Sequence, residues 1–191
     1  MKRSTMVVVC SLALAFCAVS AWGQAPPADT LKVDYFANAN TAGAPDGTLR
    51  ITNPGTAGAN LCAAIFVFDP SQELTECCSC FVSPDGLRTL SVNTNLTGNP
   101  LTGVALTTGV VKIVSTKAPA SGVCPLPTSM SPTAAIRAWG THIQNSNFSI
   151  TETASQDATL STWELGSLQS ECRAIHADGS GHGICSCGTG D

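Results

Sequence analysis

Short runs with a hydrophobic period of two recur along the chain, and each is closed by turn-forming residues. Leu31 to Phe36 sets Leu31, Val33 and Tyr35 against Lys32 and Asp34, the pattern of a half-buried strand. Thr48 to Thr52 reads the same way and stops at Asn53-Pro54-Gly55. Leu61 to Phe68 is apolar at every position, as a central strand covered on both faces requires. Asp69-Pro70 stops it, and Cys77 to Cys80 fall in the connection that follows. Pro84-Asp85-Gly86 predicts a turn, with Pro presetting φ and Gly accepting a positive φ, before a strand over Leu87 to Asn93. Thr94 to Gly109 reads as loop, and Val110 to Thr116 is a β-branched strand. Ala118 to Pro132 is a Pro/Ser/Thr excursion, exposed by its composition.

Ile136 to Ile143 and Phe148 to Thr153 form a predicted hairpin across Asn145-Ser146-Asn147. The first arm also fits a helical spacing through Ile136, Trp139 and Ile143. One helix is marked clearly, at about 162–177. Ser161-Thr162-Trp163-Glu164 is a capping box in which hydroxyl and carboxylate each satisfy an unpaired backbone donor. Leu160 and Leu165 occupy hydrophobic-staple positions, and Leu165, Leu168, Cys172 and Ile175 make one apolar stripe ended by Asp178-Gly179. The expected fold is mainly β: an antiparallel sandwich or partly open barrel with one C-terminal α-helix.

The first 23 residues change the picture. Lys2 and Arg3 precede an apolar run from Met6 to Val19, and small residues lead to Ala21-Trp22-Gly23, the pattern of a signal peptide cleaved after Gly23. Residues 24–30 read as a tail, and 31–191 as one domain. Phe16 before Cys17 argues against lipidation there, since a small side chain is wanted at that position. No other segment is long and apolar enough to suggest a membrane span. The expected location is therefore secreted, either extracellular or periplasmic.

Cys10 and Cys17 leave with that leader, so eight of the ten cysteines stay: Cys62, Cys77, Cys78, Cys80, Cys124, Cys172, Cys185 and Cys187. An oxidising compartment and an even count favour a framework of four disulfides. Neighbours such as Cys77 and Cys78 strain to bridge each other, so each cluster member should reach a distant partner. We expect Cys172 to join Cys185 or Cys187, and Cys62 to join the first cluster.

The competing chemistry is a soft-metal site for Zn or Cu, built from Cys77, Cys78, Cys80, Cys185 and Cys187 with His182 or His176. Neither cluster has the C-x-x-C spacing of common zinc or redox motifs, and no cofactor is expected.

The charged fraction is only 12 %, about half the usual ~25 %. Losing Lys2 and Arg3 leaves seven basic residues against 13 acidic ones, with no basic cluster to neutralise phosphates, so nucleic acid is a poor partner. Asp178 to Gly183 gathers an acid, a hydroxyl and His182 on one glycine-rich loop, where neighbours point apart; no triad is read there. Asp69, Glu73 and Glu76 offer oxygens to Ca²⁺ without EF-hand spacing and read as a solvated loop. Asn95-Leu96-Thr97 and Asn147-Phe148-Ser149 match a glycan acceptor pattern. Tyr35 and Trp139 could stack on a sugar if exposed, and core packing is their expected fate.

Arg50-Ile51-Thr52-Asn53-Pro54-Gly55, Cys77-Cys78-Ser79-Cys80, Pro84-Asp85-Gly86-Leu87, Asn99-Pro100-Leu101-Thr102-Gly103 and Ile184-Cys185-Ser186-Cys187-Gly188 together resemble a group of exported, cysteine-rich bacterial proteins of unassigned function. That resemblance implies secretion and a shared cysteine pattern, and brings no catalytic residue, ligand or partner.

The expected role is therefore non-catalytic, a structural, adhesive or binding module at the cell surface or in the matrix around it. Metal capture is the first alternative. A hydrolase is the second: it would need a pocket converging His142, His176 or His182 on a carboxylate and a hydroxyl.

Overall fold

The computed structural model describes residues 28–188. Residues 1–27, which hold the expected signal peptide with Cys10 and Cys17 and most of the expected tail, lie outside the described residues. Those described fold in the order β1 (Leu31–Phe36), β2 (Thr48–Thr52), β3 (Leu61–Phe68), β4 (Leu74–Val82), β5 (Leu87–Ser91), β6 (Gly109–Lys117), β7 (Arg137–Gln144), β8 (Ser149–Ala154), β9 (Gln156–Ala158) and α1 (Thr162–Asp178). The strands form two antiparallel sheets, β4-β3-β6-β1-β9 and β5-β2-β7-β8.

The continuous apolar run of β3 has a physical cause in the layering. Leu61, Ala63, Ile65 and Val67 point into the core between the two sheets, where they meet Ile51, Leu90 and Ile136. Ala64 and Phe66 point the other way, into a second core roofed by Leu168, Cys172 and Ile175 of α1. The helix thus makes a third layer, and β3 is covered on both sides. Fully burying Phe66 contributes roughly 1.5–3 kcal/mol relative to leaving it exposed.

The helix begins at Ser161, whose Oγ accepts from the Glu164 N–H at 3.0 Å. Only half of the expected capping box forms, because the Glu164 carboxylate turns away to pair with Lys112 at 2.5 Å. Gly179 closes the helix in the left-handed region at φ 70°, which costs Gly little.

Four expectations need correction. Cys77 to Cys80 lie within strand β4, not in a connection, because Leu74, Cys78, Cys80 and Val82 bury as small apolar residues along it. The turn at Ser83–Gly86 forms, with Gly86 N donating to Ser83 O at 2.9 Å, yet Asp85 and not Gly86 takes the positive φ, 62°. The strand after it ends at Ser91, where the chain enters a short π-helical turn, Val92–Leu96. The presumed tail ends in a 3-10 turn, Ala28–Thr30, with Thr30 buried.

Candidate functional site

The alternation of β4 decides the sulfur chemistry. Successive side chains leave a strand on opposite faces. Cys77 therefore meets Cys172 of α1 in the helix-side core, while Cys78 and Cys80 bond Cys185 and Cys187 of the C-terminal segment. Cys62 bonds Cys124 and pins the Pro/Ser/Thr excursion. The two local guesses fail: Cys172 does not join Cys185 or Cys187, nor does Cys62 join the cluster in β4. Cys172 faces the sheet, and the sulfur beneath it belongs to Cys77. All eight cysteines among the described residues are consumed.

Backbone bonds set the C-terminal segment beside β4. Cys77 N donates to Gly183 O at 2.9 Å, and Ser186 N donates to Asn95 O at 3.0 Å. An edge strand that would otherwise offer unpaired groups is thereby covered.

This framework changes the metal reading. A Cys77 sulfur, a Cys172 sulfur and a His176 ring nitrogen lie within 4.8 Å of one another, but both sulfurs are spent in one disulfide. A metal needs thiolates, so this group could act only after reduction. His182 sits elsewhere, its Nδ1 3.0 Å from Asn99 Oδ1 on the exposed glycine-rich loop.

At the opposite edge of the sandwich, polar chemistry replaces sulfur. The polar positions of β1 face inward: Lys32 is 2 % and Asp34 7 % exposed, whereas Tyr35 is 48 % exposed. Tyr35 thus departs from its expected place in the core. Lys32 pairs with Asp157 of β9. Asp34 accepts from Tyr35 N at 2.8 Å and from Ser155 Oγ at 2.5 Å. His142 Nε2 lies 3.5 Å from Asp34 Oδ1 and 2.8 Å from Thr153 Oγ1. The Tyr35 ring stacks on the imidazole with centroids 4.1 Å apart. Gly140 makes room for the carboxylate, since a Cβ there would stand 2.5 Å from Asp34 Oδ2.

His142 does meet a carboxylate and a hydroxyl beside a cavity of about 230 Å³. The inventory asked of a hydrolase is present, but the wiring is not. Relay catalysis places the hydroxyl on one ring nitrogen and the carboxylate on the other. Here both address Nε2, and the buried Nδ1 has no hydrogen-bond partner. The arrangement suits holding β1 against β7 and β8. Asp34, Thr153 and Ser155 escaped the sequence reading; the glycine inside strand β7 was the available signal that another group approaches closely.

Glu76, expected in a solvated loop with Asp69 and Glu73, is fully buried. Burial pushes its carboxyl up to about 7, against the opposing pull of the Asn99 N–H, which donates to Oε1 at 3.0 Å. Asp69 instead caps its own loop by accepting from Ser71 N and Glu73 N, so the three acids do not converge on a cation. Asn95 spends its amide on Ser186 Oγ at 2.7 Å, which disfavours it as a glycan acceptor.

No family model, curated protein or solved structure matches the chain. No helix among the described residues is long and apolar enough to cross a membrane.

Proposed function

We propose that the chain is exported and works outside the cytoplasm as a non-catalytic binding module, its surface held in shape by covalent cross-links. The observation that carries this reading is the complete use of Cys62, Cys77, Cys78, Cys80, Cys124, Cys172, Cys185 and Cys187 in four bridges. Such a framework forms and persists where thiols oxidise. It also removes the ligands that metal capture would need. The leader-like N-terminus and the resemblance to exported bacterial proteins point the same way. Counting thiols in purified, denatured, unreduced protein tests the reading: none is expected, and five or more would replace the framework with a ligand set.

A hydrolase is the second reading, favoured by the 2.8 Å contact between Thr153 Oγ1 and His142 Nε2 beside Asp34. It requires ester or amide turnover that disappears in His142→Ala.

A further inference from the structure

The outer flank of α1 forms one wall of a groove. Its first section, about 330 Å³, is lined by Phe68, Asp69, Gln72, Trp163 and Glu171 among others. Its second, about 620 Å³, is lined by Gln72, Leu101, Glu171, Ile175 and Asp178 among others. Gln72 and Glu171 line both, so the two sections adjoin along the helix. Trp163 stands near the helix start and Asp178 at its end, which makes the groove about 22 Å long at 1.5 Å per residue.

Trp163 is the most exposed large apolar side chain among the described residues, at 76 %. Neither stability nor helix capping accounts for it: Ser161 caps the helix, and Leu168, Cys172 and Ile175 bury its other face. Across the groove Gln72 holds φ at 70°, a region costly for a residue with a Cβ. Exposed aromatic surface and backbone strain thus meet around one cavity, an association typical of ligand sites.

The lining selects the ligand class. A flat indole face at the rim accepts an apolar ring face, while carboxylates and the Gln72 amide supply hydrogen-bonding groups along the walls, Glu171 being held by the Ser167 hydroxyl at 2.7 Å. A pyranose has that dual character, with C–H groups on its faces and hydroxyls on its edges. The acidic side chains repel anionic chains, and the one lysine of the lining, Lys112, is already paired with Glu164. We infer that the groove between α1 and the β3–β4 loop binds a neutral linear oligosaccharide, with Trp163 as its stacking platform. This rests on the binding-module reading and supplies its ligand class.

The test uses the mature oxidised chain, with hexasaccharides of β-1,4-linked glucose, xylose and N-acetylglucosamine and of α-1,4-linked glucose as probes. Affinity is followed by calorimetry, and indole emission and probe length are followed in parallel. At least one probe should bind at one site per chain with a change in tryptophan emission. Trp163→Ala should weaken binding about tenfold or more with an unchanged melting temperature. Glu171→Ala should weaken it as well, and Leu126→Ala, an exposed residue outside the groove, should not. Failure of every hexasaccharide to bind, or full affinity in Trp163→Ala, overturns the inference. So does selective binding of a lysine- and leucine-rich peptide that high salt abolishes. A probe that binds through Trp163 and is shortened would uphold the groove and overturn the non-catalytic reading instead.

Discussion

The two edges of the sandwich are closed by different chemistry. At the β4–β5 edge, the C-terminal segment is bonded through Cys185 and Cys187 to β4, and Gly188 packs so tightly on β5 that a Cβ there would come 2.3 Å from Thr89 O. At the β8–β9 edge, Lys32 meets Asp157, and Asp34 meets His142 and Ser155. Sulfur tolerates a segment with little secondary structure of its own, because a covalent bond acts partly by restricting the unfolded chain. The polar edge has no such support and depends on the hydrogen bonds and ion pairs its buried groups make with one another. One edge is sensitive to reductant. The other holds no disulfide and does not respond to reductant.

The largest expected effect breaks the first edge. Replacing Cys78 and Cys185 together by Ala opens a link between residues 107 apart and should cost about 2–5 kcal/mol in urea unfolding. The melting temperature of this variant should also respond less to dithiothreitol than that of the parent. A loss under 1 kcal/mol would mean that the tail is held by its backbone bonds alone. The sharpest probe of the second edge is Gly140→Ala, whose new methyl collides with a carboxylate fixed by three partners. We expect a loss of about 1–3 kcal/mol, measured by the same unfolding.

A pH series tests the buried acid of β4 itself. The folded state raises the carboxyl of Glu76 from 4.5 to about 7, so it holds that proton more tightly than the unfolded chain does. Its contribution is full below about 4.5 and is lost as pH rises through about 7. Glu76→Gln should therefore remove a decline in stability between those two values that the parent shows. Equal slopes in parent and variant would place the titration elsewhere. The smallest effect concerns the third layer. Ser161→Ala removes the one cap contact that forms and should cost about 1 kcal/mol, read from the melting temperature, without disturbing either edge.

Much of the fold was legible because its signals are local. The period-two runs at Leu31 and Thr48, the all-apolar run at Leu61, the hairpin across Asn145 and the helix from Thr162 all lie where the pattern puts them. The site was legible only in its parts. His142 was a candidate by residue type, but Asp34 and Lys32 looked like the solvent side of β1, since alternation gives a period without saying which face is inside. They point inward because residues more than a hundred positions away, His142, Ser155 and Asp157, wait there. Glu76 misled for a similar reason. An acidic residue beside Asp69 and Glu73 reads as surface until the pairing of β4 with β3 turns it into the core.

By itself the sequence determined the class of the molecule: short strands, one capped helix, and an even set of thiols behind a leader-like segment. These follow from dihedral preference, hydrophobic period and redox chemistry, all carried within a few residues of one another. Only the tertiary structure decided which sulfur meets which, which face of β1 is dry, and that Trp163 stands beside a groove. Each of those depends on segments separated by tens of residues being brought to a few ångströms. No neighbour-to-neighbour preference encodes such a distance.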